Sequence, residues 1–328
     1  MNDRAQTLDR SVRNRTGATR VAPASGFRAQ SRRSRVRSSQ WAAWAFLAPL
    51  VVYLLAFYAY PMYRNLDLSL RDYTVYSFVH GGAPFTGFAN YTAVFHDPTF
   101  ATALINTLLF TFVSLAFQFA LGMALAVFFA QNFRLSSTLR ALFLVPWLLP
   151  LIVSASTWAW MLDSTSGVVN AALNAVGISP VDWLTSPHWS LISVIIANVW
   201  IGVPFNLVLL HSGLQAIPKD LYESAALDGA GSWQRFRRIT WPLLRPVSAI
   251  TLLLGLVYTL KVFDIIWIMT RGGPVNSSTT FATWSYQYGF GNLLPEFGLG
   301  AAVGNFLVIM ALIAGLIYIR VQRRQRQA

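Results

Sequence analysis

The sequence predicts an all-α integral membrane protein whose chain crosses the bilayer six times. Charged residues make up only 11% of the 328 residues, whereas they make up about 25% of ordinary soluble domains. Apolar residues reach 55%. Several apolar runs also approach or exceed the roughly 20 residues that a helix needs to cross a bilayer. These observations exclude an ordinary soluble domain.

Six apolar stretches account for the predicted spans. They lie near Trp41–Tyr63, Ala103–Ala130, Leu142–Leu162, Leu191–His211, Val247–Met269 and Leu299–Ile319. Together they form one transmembrane domain over residues 39–321, with a basic tail at each end, 1–38 and 322–328. The first tail is rich in Arg, Ser and Thr without hydrophobic periodicity, so we expect it to be disordered.

The basic residues set the orientation of the chain. With the N-terminus in the cytoplasm, 21 Lys and Arg residues fall on the cytoplasmic side and 3 on the other side. Cytoplasmic segments carry such an excess because basic residues resist translocation. Both termini are therefore predicted to be cytoplasmic. The net charge of +13 is explained by segments that flank membrane spans, so we expect contact with the lipid bilayer and none with nucleic acid.

The longest predicted cytoplasmic connection, residues 218–246, contains two helical segments. The first is a short helix that begins after Pro218. Gly229 and Gly231 interrupt it and supply the backbone freedom of a tight turn.

The second segment is amphipathic. Ser232 can cap its start, and Pro242 and Pro246 are expected to end it before the fifth span. The two helical segments and the turn between them, residues 218–246, form a compact projection that we call the knob. The knob either fits a socket on another protein or lies as an amphipathic hairpin on the membrane surface. The residues alone leave both interpretations open.

This connection resembles the EAA motif of bacterial ABC importer permeases. The pattern is Glu-Ala-Ala, two residues, Asp-Gly-Ala, and then Phe, Ile and Pro. The matching residues are Glu223, Ser224 in place of the first alanine, Ala225, Asp228, Gly229, Ala230, Phe236, Ile239 and Pro242. The stretches 85–91, 263–264 and 270–274, with Asn106 and Thr107, resemble the branch that takes up carbohydrates, which includes maltose, trehalose and glycerol phosphate permeases.

The resemblance implies a MetI-like permease fold in the cytoplasmic membrane of a bacterium or an archaeon. It implies a second, homologous permease subunit, two ATP-binding subunits and an external substrate-binding protein. The segment Glu223–Ala230 would be the coupling helix, seated in a cleft of one ATPase subunit. Glu223 would make a polar contact there, and Gly229 would hold the turn. Sugar would then cross by alternating access.

The chain is not expected to hydrolyse ATP. A phosphate-binding loop needs a lysine after a glycine-rich turn, because that lysine reaches the β- and γ-phosphates. The only lysines are Lys219 and Lys261, and neither follows such a turn. ATP and Mg are therefore expected on the partner ATPase subunits, and this chain itself is expected to hold no cofactor and no metal.

Polar residues within spans are costly in a bilayer, so they are candidates for the substrate pathway. Lys261 and Asp264 are three residues apart in the predicted fifth span, where they can pair on one face. An ion pair between helices, or a lysine that snorkels outward, is the structural alternative. The other candidates are Asn106, Gln118, Trp147, Asn206 and Asn305. The amides can equally tie helices together, and Trp147 can equally pack among them.

Two further features have more than one interpretation. Pro146 and Pro150 predict a kink in the third span, which can line a pathway or simply bend the helix. The loop 271–297 either contacts the binding protein or is a solvated connector.

Two other function classes are weighed against the importer. An ion-coupled secondary transporter usually needs ionisable groups within its spans, and Asp264 is the only carboxylate placed in one. A membrane enzyme needs an acid–base or metal site, and the four histidines belong to no metal-binding pattern.

Overall fold

The computed structural model describes residues 44–131 and 133–327, with side chains up to residue 320. The predicted N-terminal tail and the start of the first predicted span, residues 1–43, lie outside the described residues. The chain divides into two units, Met1–Ala59 and Tyr60–Ala328. The described part of the first unit, residues 44–59, is helical.

The described chain is mainly helical. Its helices are α1 (Trp44–Ser69), α2 (Val75–His80), α3 (Ala89–His96), α4 (Thr99–Phe129), α5 (Ser136–Leu148), α6 (Leu151–Met161), α7 (Val168–Ala175), α8 (Ser190–Gln215), α9 (Lys219–Leu227), α10 (Ser232–Leu260), α11 (Asp264–Met269), α12 (Phe281–Tyr286) and α13 (Phe297–Gln327).

Within the described residues, α1, α4, α8, α10 and α13 are each long and apolar enough to cross a membrane. The pair α5 and α6 makes a sixth span if the two helices are counted together, although they meet at an angle of 95°. The predicted third span, Leu142–Leu162, is therefore present as a bent pair, and the kink predicted from Pro146 and Pro150 is a break between two helices. Leu149 is extended (φ −74°, ψ 141°), because the ring of Pro150 disfavours helical backbone at the residue before it.

The fifth predicted span also differs from the structure. It begins earlier, since α10 starts at Ser232 and continues through Pro242 and Pro246, which were wrongly expected to end a separate helix. The first of these prolines follows a π-helical turn over Phe236–Thr240. There the regular i to i−4 hydrogen bonding is already interrupted, so a missing N–H costs less.

The same span ends sooner than predicted. The helix α10 stops at Leu260, and α11 starts at Asp264 after a three-residue break. An acidic residue in the first turn stabilises a helix start through the helix dipole. Lys261 and Asp264 consequently do not share a helix face, and the pairing that was predicted from a spacing of three residues is wrong.

The core forms where α4 packs along α8. A Cβ built on Gly122 would lie 2.4 Å from the Cβ of Asn206 and 3.1 Å from the backbone nitrogen of Leu207. Only glycine allows this approach, and small residues are the usual means by which helix backbones come close in a membrane. Leu207, Leu210 and other buried apolar side chains extend the core from this contact.

The loop 271–297 fits the solvated connector, one of its two interpretations, only in part, since Leu293 and Leu294 are exposed but other residues are not. Ser278, Thr279 and Thr280 are buried. The side chain of Asn106 donates to the carbonyl oxygens of Asn276 and Thr279, both at 3.1 Å. This part of the loop therefore packs against α4 and not into solvent.

Candidate functional site: the coupling loop and a central cavity

A closed turn ends the helix α9. The N–H of Ala230 donates to the carbonyl of Ala225 at 2.9 Å, and the N–H of Gly229 donates to the carbonyl of Ala226 at 3.1 Å. Gly229 has a φ of +78°. These bonds and the left-handed glycine form a Schellman motif, which satisfies the last carbonyls of a helix. The predicted short helix and its glycine turn are thus present.

The outer side of this turn is exposed. Glu223, Ser224 and Asp228 are exposed, and Leu227 is 90% exposed. Trp233, on the following helix, is 71% exposed. Two large apolar side chains, Leu227 and Trp233, thus lie among exposed polar ones where another protein or the membrane can cover them.

The inner side of the turn is tied to the rest of the molecule. The hydroxyl of Tyr222 lies 2.9 Å from that of Thr240, which joins α9 to α10. Phe236 stacks on Trp233 at 5.7 Å between ring centroids and packs on the core near Leu244. Gly231, not the predicted Ser232, is the N-terminal cap, and its N–H donates to the side chain of Gln234. A hydrogen bond thus joins α9 to α10, and aromatic packing lies within the first turns of α10.

A cavity of about 470 Å³ opens between α4, α5, α6, α8 and the region where α10 gives way to α11. This is within the range of sites that hold small molecules, roughly 300–1,000 Å³. Four of the predicted pathway residues line it: Gln118, Trp147, Lys261 and Asp264.

Both helix breaks border this cavity. Leu149 and Leu151 flank the bend between α5 and α6, and Lys261 and Val262 lie in the break before α11. Irregular backbone is tolerated at membrane depth only where it is buried in protein or faces a water-filled cavity. The kink that the two prolines predicted therefore lies at the cavity wall.

The cavity wall combines amides with aromatic rings. Gln118 donates from Nε2 to the carbonyl of Asn198 at 2.9 Å. A Cβ on Gly202 would lie 2.3 Å from the Gln118 side chain, so glycine makes room for this amide. The Nδ2 of Asn198 is buried and has no partner among the described atoms. A buried donor without a partner is costly, and Asn198 itself lines the cavity.

The charged residues of the cavity stay apart. Within the described side chains, ion pairs within 4.0 Å involve only Asp67 with Arg64 and Arg71. The Nζ of Lys261 instead lies 5.2 Å from the centroid of the Tyr258 ring, in a cation–π contact. The lysine and Asp264 remain available to a ligand.

The three other predicted pathway residues lie elsewhere. Asn106 holds the outer loop, as described above. Asn206 donates to the carbonyl of Gly202, one helical turn before it. Asn305 donates to the hydroxyl of Tyr91 and accepts from Asn65, both at 2.8 Å. All three side chains thus bond to the protein itself: Asn106 to the outer loop, Asn206 to its own helix, and Asn305 to residues of two other helices.

Sequence reasoning missed four polar or aromatic residues of the cavity, Asn198, Phe205, Tyr258 and Thr259. Asn198 could have been found, because it is a polar residue within a span like those that were selected. The two aromatic residues gave no signal, since aromatic side chains are common in every span of this chain.

On the predicted outer side, the hydroxyl of Tyr288 donates to Asp97 at 2.9 Å. Burial and this carboxylate raise the pKa of Tyr288 to about 12. Burial raises the pKa of Asp97, but hydrogen bonds from Thr99 and Tyr288 outweigh it and leave that pKa below its usual value. The carboxylate is therefore ionised at neutral pH.

A bundle with broken helices around a cavity, and an exposed knob at one end, defines a membrane transport subunit. The profile of the family described as the binding-protein-dependent transport system inner membrane component matches residues 118–327. The trehalose/maltose transport system permease protein MalF of Thermococcus litoralis is 36% identical over 281 residues, which cover 85% of this chain and 93% of that protein. The chain belongs to this family of inner membrane transport components.

Solved structures agree. A chain of a bacterial ABC transporter involved in the import of the acidic polysaccharide alginate superposes with a TM-score of 0.76 at 27% identity, over 90% of this chain and 99% of that one. A chain of the alginate transporter in complex with an alginate pentasaccharide-bound periplasmic protein gives 0.76 at 26% identity, over 90% and 98%. The predicted all-α permease fold and the resemblance to the carbohydrate-uptake branch are confirmed.

Proposed function

We propose that this chain is one permease subunit of an ATP-binding-cassette importer and forms half of the pathway for a sugar or a sugar-like solute. Separate ATPase subunits, which bind ATP and Mg, drive it through the loop Glu223–Pro246. A second, homologous permease completes the pathway, and an external binding protein delivers the solute. The chain itself is not an enzyme, and both of its termini lie in the cytoplasm.

The sugar class is supported by the relatives and by the cavity. One relative is named for trehalose and maltose, and the solved transporters for alginate, in one case with a periplasmic protein. The cavity offers the aromatic faces of Trp147, Phe205 and Tyr258 beside two amides. Rings that pack on sugar faces, with amides that bond to hydroxyls, suit a polar ligand of this kind.

The observation that carries the proposal is the continuity of α10 from the knob to the cavity. The helix spans 29 residues, Ser232–Leu260, or about 43 Å at the usual rise. Its first turns hold α9 through Thr240, and its last turns place Gly255, Tyr258 and Thr259 at the cavity. A force on α9 is therefore transmitted along one helix to the cavity wall, as alternating access requires.

The proposal predicts that Glu223→Ala lowers ATP-dependent uptake severalfold in the assembled importer. Glu223 is exposed on the docking side, so its loss removes a polar contact with the ATPase subunit and leaves the fold of this chain intact. Uptake and copurification of the ATPase subunit are measured in parallel.

Arg134→Gln is the control, because Arg134 is an exposed charged residue outside the loop. If Glu223→Ala transports and holds the ATPase subunit as the unchanged chain does, the assignment of α9 as the coupling helix is wrong.

A further inference from the structure

A second large cavity lies directly behind the coupling helix. Its volume is about 620 Å³, and it is bordered by residues at or near the ends of α4, α5 and α8 together with α9 and the first turns of α10. Because it is bordered by both α9 and α10, an occupant would lie beside the two helices that the proposed function assigns to force transmission. The central cavity shares no lining residue with it.

The charges of this second cavity all have one sign. Arg140, Lys219 and Arg235 line it, and no carboxylate of the described residues does. None of the three has an acidic partner within 4.0 Å among the side chains that the structure describes. The acidic residues of the adjoining helix, Asp220 and Glu223, are exposed and do not line the cavity. Cations that line one cavity without a counter-charge repel one another.

His211 does not supply the missing negative charge. Its Nε2 contacts the guanidinium of Arg140. Arginine has only donors, so this nitrogen accepts and the hydrogen of the neutral ring lies on Nδ1. That nitrogen faces the carbonyl oxygen of Ala126 at 3.4 Å. The ring therefore orients Arg140 but leaves its charge uncompensated.

Arg235 provides a second, independent observation. Its Nε is buried and has no hydrogen-bond partner among the described atoms. A buried donor of a charged group is seldom left unpaired, because the loss of hydration is costly. Ser136 and Tyr222 also line the cavity, and their hydroxyl groups can donate further hydrogen bonds to an anion.

We propose that this cavity is a binding site for a phosphate-bearing anion, held by Arg140, Arg235 and Lys219. Guanidinium groups bind phosphate through paired, charge-assisted hydrogen bonds. The anion is either a soluble cytoplasmic phosphate compound or the headgroup of an anionic lipid. Lys219 and Tyr222 belong to α9. A bound anion would therefore restrain the movement of the coupling helix and so regulate transport. This last consequence rests on the proposed function, whereas binding of the anion does not.

The direct test is equilibrium binding of radiolabelled inorganic phosphate to the full chain in nanodiscs of phosphatidylcholine. We expect saturable binding that the double substitution Arg140→Gln/Arg235→Gln weakens by at least about tenfold, since two charge-assisted contacts are lost. Ser136→Asp keeps both arginines but places a carboxylate in the cavity, and it should abolish binding. Arg134→Gln, an exposed arginine outside the cavity, should bind like the unchanged chain.

A second arm separates the two sources of phosphate. The same phosphate binding is measured in nanodiscs that contain phosphatidylglycerol. Weaker binding of phosphate there means that the lipid headgroup competes for the site, which is then a lipid site. Unchanged binding of phosphate means that the site takes a soluble anion. The proposal is overturned if neither probe binds, or if Arg134→Gln weakens binding as much as the double substitution does.

It is also overturned if phosphate binds to the chain alone but is excluded from the assembled importer, because a carboxylate of the ATPase subunit then fills the cavity. Sugar uptake by the importer is measured separately, so failure of the anion site leaves the proposed function standing.

Discussion

At the scale of single residues, the turn after α9, which is proposed to couple to the ATPase subunit, depends on one backbone conformation. Gly229 and Gly231 both have open space where a Cβ would lie, so neither is required for lack of room. Gly229 alone has a positive φ, +78°, whereas Gly231 has −67°. The two glycines were predicted together from the sequence, and only the backbone separates their roles.

This difference predicts unequal effects of alanine. Gly229→Ala forces a side chain into left-handed backbone at a cost of about 1–2 kcal/mol, and we expect it to weaken binding of the ATPase subunit by about fivefold or more. Gly231→Ala, the matched control, should change binding less than about twofold. Titration of the ATPase subunit against each variant measures this, and equal effects would contradict the Schellman turn.

Polar residues in spans show how far single-residue prediction reaches. Gln118 and Asn206 gave the same signal, an amide in an apolar helix. The structure places Gln118 at the cavity and Asn206 against its own helix. Residue type gives the cost of burial but not the direction of the side chain, so only the packing of α4 on α8 distinguishes them.

At the scale of elements, the lengths of the apolar stretches predicted the spans well. The sequence marked only one of the two interruptions of these spans. The bend between α5 and α6 was signalled by Pro146 and Pro150, although its angle of 95° was not. The break at residues 261–263 contains neither proline nor glycine, so no local signal marks it. Pro242 and Pro246 gave a false signal, because α10 continues through both; Pro242 follows a π-helical turn, whereas Pro246 lies inside regular helix.

The contact between α4 and α8 predicts a specific sensitivity. Gly122→Ala places a methyl group 2.4 Å from the Cβ of Asn206 and against the backbone of Leu207, which should destabilise the fold by about 1–3 kcal/mol. We expect a lower thermal unfolding temperature in detergent.

Gly315→Ala is the control for the Gly122→Ala substitution. Gly315 lies within α13 and has nothing near the position of an added methyl group, so alanine should be neutral or stabilising, since it favours helix. An unfolding temperature that Gly122→Ala leaves unchanged would show that the two helices are not in such close contact.

At the scale of the whole molecule, the proposed force path and the proposed solute path meet at one helix. The exposed knob lies at one end of α10, and the cavity lies at the other. Both regions were predicted as separate features, the first from a sequence pattern and the second from isolated polar residues. Their connection was not predictable, because it depends on the unbroken helix between Ser232 and Leu260.

The central claim is that a separate ATPase drives solute through this chain. The most direct measurement is uptake of labelled sugar by proteoliposomes that contain the complete importer, with its binding protein outside and ATP inside. We predict uptake that requires ATP hydrolysis, persists when ionophores collapse all ion gradients, and is lost when the ATPase subunits are omitted. Uptake by this chain without ATPase subunits, driven by a proton or sodium gradient, would contradict the account.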